Sequence, residues 1–574
     1  VANEVGTHFP RKIFLIPDVN ASVFYSSSFW SLFIPTRKNL NIGLGLVNSV
    51  NISEFKAVLA HEFGHFSQKS MRLGSYVYYV NQVIFNMLYQ NNGWISAANG
   101  IANIHGILSF FVQVAAYIVQ GVQWVLRGMY GFVNRRYLSL SRAMEFHADT
   151  ISASVSGSNN MTQALRQIEL GAMTYQQVIQ KCNELLVSEQ APLNCYVGQR
   201  VEAAHFAAVH KLPLHQGIPL VSRDCMEKRQ SARVNFKNQW ASHPTREERE
   251  DNLQVLDLTA PVQQDSAWSI FQNPSLLQQQ LTKFLYRDLN IKVENIEDES
   301  FVKMIQEEQA HRKLPDLYEG YFDGHPIYTD KWEEAAAAAT PKIFEPDVYW
   351  QLFAENLDEK IGALQHDVYV LKAINEGQVD TKTFDFDGQK YTADQAPDIC
   401  RQIEKDIADT LETRNARDTT SISAFFAHAQ TKSAGQVDKL KSAYKALHEV
   451  MALKNTFLPP ASEVFATINL IASNDYNLAT DMTMRFKELY TVLEPQLRGL
   501  FMHLPDLDLF PENLQQKIRE VFTGEPIEYH QYNQPSQAPL EALHALIAEI
   551  AQFLDETAFE RQKLVLVLQQ ELVD

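Results

Sequence analysis

The chain has 574 residues, room for roughly three to five domains. Its 45% hydrophobic and 21% charged residues exclude collagen, a coiled-coil rod and wholesale disorder. Fifty Lys and Arg against 68 Asp and Glu leave a formal net charge of −18, which repels phosphate backbones and argues against nucleic acid as a partner.

Val1 stands first and strand-like sequence starts at Lys12, so no signal peptide is expected, and the chain is expected to begin inside a longer protein. Residues 12–16 and 22–26 read as short strands separated by the turn-prone Pro17-Asp18-Val19-Asn20. Residues 41–48 read as a third strand, with Gly43 and Gly45 allowing close backbone approach. A helix then opens at Asn51. Glu54 follows three residues later in a capping-box arrangement, and Phe55, Val58, Leu59, Phe63 and Phe66 form its apolar stripe.

From Leu73 through Leu126 there is no Lys, Arg, Asp or Glu. Residues 73–133 read as a hydrophobic helical hairpin. It either enters a membrane, with Trp94 and Trp124 at the interfaces, or forms buried helices of a large soluble core. Beyond about residue 260 the pattern turns helical and charged, with amphipathic runs near 296–313, 396–415, 434–457, 476–500 and 539–571. Glu333 to Ala339 reads as a short helix former. Asp387-Gly388 between alternating residues predicts a β-hairpin near 383–392. Pro459-Pro460 and the stretch Pro535 to Pro539 read as joints between helices. Two regions are expected, 1–260 and 261–574.

Four cysteines, Cys182, Cys195, Cys225 and Cys400, form no C-x2-C pair. They argue against a Cys-built zinc site or a disulfide scaffold and favour a reducing compartment, with Cys182–Cys195 and Cys195–Cys225 bridges left open.

The chemistry concentrates in His61-Glu62-Phe63-Gly64-His65. Residues four apart share a helix face, so both imidazoles can reach one ion, while Glu62 is placed to reach a water beside it. A catalytic zinc has three protein ligands and an open position, so the third must come from another element. Glu145-Phe146-His147-Ala148-Asp149, in a helix-like stretch starting near Leu138, supplies the candidate Glu145. Asp149, one turn on, can accept the N–H of a ligand imidazole. Arg142, one turn before Glu145, can orient its carboxylate or stand as an ordinary surface arginine. Each carboxylate alone also reads as a solvated helix residue.

H-E-F-G-H followed by E-F-H-A-D resembles the M48 family of zinc metallopeptidases. Val58-Leu59-Ala60 before the motif, Asn20-Ala21 upstream and His243-Pro244 followed by Arg249 add to the likeness, and the charge-free stretch falls where the family inserts hydrophobic helices. The likeness covers about residues 10–260. It implies a mainly α fold with a small β-sheet, a gluzincin-type peptidase domain followed by a mostly helical C-terminal region of unknown role. One Zn2+ per chain would be held by His61, His65 and Glu145, with Glu62 as general base and Asp149 supporting a ligand. His243 would stabilise the oxyanion or occupy the open zinc position. A protein or peptide substrate would bind extended along an edge strand, at residues 42–48 or 22–26. The implied activity is peptide-bond hydrolysis, with a role in membrane-associated quality control or processing.

The implied location is membrane-associated through residues 73–133, at a bacterial inner membrane with the site facing a reducing compartment, or alternatively soluble in the cytoplasm. Two departures stand out: about 300 residues lie beyond the peptidase core, and the N-terminal helices of membrane members are not expected within this sequence. Two other functions remain open. One is a latent peptidase fold that binds partners through the acidic C-terminal half. The other is a metal-dependent hydrolase of a different bond.

Overall fold

The computed structural model describes residues 1–24, 39–67, 140–227, 234–235, 244–287, 293–318, 320–344, 357–376, 383–387, 389–473, 509–523, 530–531, 534–535 and 537–574. The expected hydrophobic hairpin at 73–133 and the amphipathic run at 476–500 lie outside the described residues. The fold is mainly α with small sheets, and it divides into two compact units. The first comprises residues 1–312 and 363–403, the second 313–362 and 404–574.

In the first unit, β1 (Ile13–Ile16), β2 (Ala21–Phe24) and β3 (Asn39–Gly43) form a sheet in the order β1-β3-β2. β1 runs parallel to β3, with Ile13 opposite Leu40, and β2 runs antiparallel to it, with Val23 opposite Leu40. The expected strand at 41–48 is corrected: the strand ends at Gly43, and Leu44–Ser49 forms a helix, α1. The apolar alternation there is ambiguous because Leu44 through Asn48 are buried on every side, which erases the periodicity separating strand from helix. The glycines do serve close approach, since a Cβ on Gly43 would lie 2.0 Å from the Asp18 carbonyl oxygen and one on Gly45 2.7 Å from Val19. β3 is also central, paired on both sides, so residues 42–48 offer no edge and β2 does.

Helix α2 (Ile52–Ser67) follows, then α3 (residues 140–156) and the long α4 (Ser158–Val187). Met161, Ala164, Leu165, Val178, Cys182 and Leu185 give α4 its buried stripe at helical spacing. Helix α5 (Cys195–Val209) packs on α4, and α6 (Arg246–Leu256) opens with a Thr245–Glu248 capping box. The core gathers Leu40, Ile42, Leu46, Phe55, Val58 and Tyr196 beneath the sheet and helices. The predicted hairpin forms from β4 (Thr383–Phe386) and β5 (Gln389–Thr392), with Asp387 at φ 50° in the turn. All four cysteines are free thiols, so neither open bridge forms, and burial pushes Cys182 up to about 11 and Cys195 up to about 12.

The second unit is built on two long helices packed along each other, α7 (Ala434–Ser473) and α8 (Gln537–Val573). Pro459 and Pro460 lie inside α7, which corrects the expected joint. The helix continues there because Phe457, Ala461, Val464 and Ile468 are buried on one face, and that packing outweighs the backbone hydrogen bonds the prolines remove. The proline cluster at 535–539 does mark a boundary: α8 begins at Gln537, with Pro539 in its first turn, where a missing N–H costs nothing. A separate core stacks Trp332 on Tyr444 at 6.0 Å. No helix among the described residues is long and apolar enough to cross a membrane.

Candidate metal centre

Helix α2 is fixed at its start by a reciprocal cap. The Glu54 N–H donates to Asn51 Oδ1 at 2.8 Å, and the Asn51 N–H donates to Glu54 Oε2 at 2.9 Å. Burial pushes the Glu54 carboxyl up to about 7, against those Asn51 hydrogen bonds. Three turns on, the helix presents His61 and His65 on one face, with ring centroids 4.8 Å apart and planes at 89°. Their Nε2 atoms are 3.2 Å apart.

Helix α3 lies close against this face. A Cβ on Gly64 would meet Ala148 Cα at 3.2 Å, so glycine inside the motif permits the approach. The Ser152 hydroxyl donates to the Ala57 carbonyl at 2.7 Å, tying the helices in the interior. Glu145 thereby reaches both rings: Oε2 is 3.3 Å from His61 Nε2, and Oε1 is 3.6 Å from His65 Nε2. His61 and Glu145 are buried and His65 half-buried.

Among the described residues, these three form a group that could hold a metal ion. Zinc bonds of about 2.0–2.1 Å in a tetrahedron put neighbouring ligand atoms about 3.3–3.4 Å apart. The observed 3.2, 3.3 and 3.6 Å fit that set, and two imidazole nitrogens with one carboxylate suit zinc.

The opposite ring nitrogen of His61 faces Asp149, with Nδ1 2.9 Å from Oδ1. Asp149 is fully buried. Arg249 of α6 grips it with two bonds, Nε to Oδ2 at 2.9 Å and Nη2 to Oδ1 at 2.6 Å. Burial opposes the Asp149 charge, yet hydrogen bonds from Arg249 and His61 hold its carboxyl below the usual range. Burial likewise opposes a charged His61, and its bonds to Asp149 and Glu145 push it up to about 9. A ring that donates Nδ1–H to Asp149 turns its Nε2 lone pair toward Glu145 and His65.

Glu62 projects from α2 toward β2. Loss of solvent pushes its carboxyl up to about 7, with His61 opposing and Glu145 adding to the shift, and the Val23 N–H donates to it. The Gly43 N–H donates to the Asn20 carbonyl at 2.8 Å. In an antiparallel ladder this sets Ser22 and Phe24 as the residues bonded to β3, so Ala21 and Val23 aim their backbone groups away from the sheet. Glu62 therefore stands against the outer edge of β2.

Arg142 is half-buried on α3, one turn before Glu145. His243 lies outside the described residues. Arg249 is the residue whose role the sequence left unstated. Its spacing after His243-Pro244 marked it, but its partner Asp149 is 100 residues away in the chain.

Residues 33–257 match the description of peptidase family M48. Several curated proteins are also similar to this chain. Protease HtpX of Haemophilus influenzae is 29% identical over 180 residues, covering 29% of this chain and 56% of that protein. A protease HtpX homolog of Nitrosomonas europaea is 27% identical over 182 residues, covering 29% of this chain and 53% of its own length. Protease HtpX of Vibrio vulnificus is 27% identical over 178 residues, covering 29% and 55%. The chain thus spans about half the length of these relatives. No solved structure matches.

Proposed function

We propose that the chain is a zinc-dependent metalloendopeptidase that cuts peptide bonds in protein or peptide substrates. The observation that carries this reading is the convergence of His61 Nε2, His65 Nε2 and a Glu145 carboxylate oxygen to 3.2–3.6 Å, with Glu62 beside them. These three residues hold the zinc, one per chain. Zinc, when bound, supplies a Lewis acid that polarises a carbonyl and acidifies water. Glu62 takes the proton from the attacking water and returns it to the leaving amine. Asp149 and Arg249 hold His61 in the tautomer that offers Nε2. His243 stabilises developing negative charge, and Arg142 helps orient Glu145.

The substrate binds extended along the outer edge of β2. Backbone groups of Ala21 and Val23 point that way, so a strand laid there passes the Glu62 carboxylate. Residues 73–133, free of charge up to Leu126, associate the chain with a membrane. Flotation of the full chain with liposomes tests this, and recovery entirely in the lipid-free fraction would refute it. The reading of the site is tested with the Glu62→Gln variant and an unfolded protein such as casein. Zinc content is expected to stay unchanged while cleavage falls by about a thousandfold or more. Cleavage at the parent rate would refute it.

A further inference from the structure

Helix α6 carries Arg249 to Asp149 with one face and engages α4 with the next residue. Glu250 is buried, with 3% exposure. It accepts a two-pronged bond from Arg166 of α4, Nε to Oε1 at 2.9 Å and Nη2 to Oε2 at 2.8 Å. Arg246, one turn earlier on α6, donates to Glu250 Oε1 at 2.8 Å and to Glu169 of α4 at 2.8 Å. The four side chains form an alternating two-plus, two-minus clamp between α4 and α6. A bidentate arginine–carboxylate pair fixes orientation as well as distance, which one point charge does not.

The clamp sits at the foot of a chain of contacts: Arg166 and Arg246 to Glu250, Glu250 to Arg249 through one peptide link, Arg249 to Asp149, and Asp149 to His61 Nδ1. Arg249 makes both bonds to Asp149 only if α6 keeps its rotation and distance. We infer that Glu250, with Arg166 and Arg246, is a positioning residue for the metal centre: the clamp sets the aim of Arg249 and so the readiness of His61 to bind zinc. This rests on the zinc reading above and adds to it residues that touch neither metal nor substrate.

The test measures Zn2+ affinity of the full-length chain by competition with a chromophoric chelator. It compares the parent, Glu250→Gln, Arg249→Ala and the double variant, with circular dichroism to confirm folding. Glu250→Gln is expected to weaken zinc binding about tenfold, in the range for residues that orient ligands. Because Glu250 acts through Arg249, the same change in the Arg249→Ala background is expected to add nothing. Arg166→Lys, which keeps the charge and loses the fork, is expected to weaken binding about threefold and serves if Glu250→Gln does not fold. Asp251→Asn on the exposed side of α6, where Asp251 pairs with Arg223, is expected to leave affinity unchanged.

Parent-like affinity in Glu250→Gln and Arg166→Lys would overturn the inference. So would a loss that repeats in full in the Arg249→Ala background, since the clamp would then act by general loosening. A parent chain that takes up no zinc overturns the zinc reading itself, and the inference falls with it.

Discussion

Among the described residues, two buried clusters of histidine and carboxylate, one in each unit, are arranged differently. In the first unit, His61, His65 and Glu145 aim three electron-pair donors at one point. In the second unit, His325 lies between two carboxylates on opposite sides of its ring, Nδ1 2.5 Å from Asp358 Oδ2 and Nε2 3.6 Å from Asp418 Oδ2. Arg414 donates to the other Asp358 oxygen at 2.8 Å, and the Tyr328 N–H donates to Asp418. There the acids meet their counter-charges and no donors converge. Burial, histidine and acid are common to both clusters. The direction of the lone pairs separates a candidate metal centre from an internal ion-pair chain.

The largest contrast is expected on removing one donor. Glu145→Ala or His65→Ala should weaken zinc binding by more than about a hundredfold, beyond the effect of losing a supporting residue. His325→Gln should leave zinc content at the parent level, and loss of zinc there would erase the distinction.

His325→Gln should instead act on stability. It removes the cation between Asp358 and Asp418 and leaves Asp358 to Arg414 alone, which costs about 3 kcal/mol. Burial opposes charge on His325, but Asp358 and Asp418 raise its pKa above the ordinary 6.5. The sign follows from linkage: its stabilising contribution is complete below pH 6.5 and is lost as pH rises through the higher folded value. Denaturant unfolding followed across that window should show the decline in the parent and none attributable to this site in the variant.

A third buried ionisable group sharpens the comparison. Glu54 is held by Asn51 rather than by a cation, and burial lifts it from 4.5 to about 7. Its folded form holds the proton longer than the unfolded chain, so its contribution is present below pH 4.5 and lost as pH rises to about 7. The loss is about 3 kcal/mol. Glu54→Gln keeps the cap acceptor and should flatten that slope, giving a higher midpoint of urea unfolding at pH 8. The smallest effect is expected from Gly64→Ala, where the added carbon presses on Ala148. It should destabilise the chain by about 1 kcal/mol and weaken zinc binding measurably.

What could be read before the structure follows the reach of local rules. His61, Glu62 and His65 lie within five residues, and helical spacing alone puts the two imidazoles on one face. The Asn51–Glu54 cap and the Asp387 turn are equally local. The contact between Arg249 and Asp149 spans 100 residues, and the clamp at Glu250 spans 84, so no spacing rule reaches either. Residues 44–49 misled because a helix buried all round shows no face. Pro459-Pro460 misled because a long packed interface sustains a helix that local propensity would end.

The most direct measurement is the metal content of the purified full-length chain beside that of Glu145→Ala, after incubation with Zn2+ and removal of the excess. The account expects about one zinc per parent chain and a marked loss in the variant. A folded parent chain that takes up no zinc, or a variant that holds it as tightly, would contradict it.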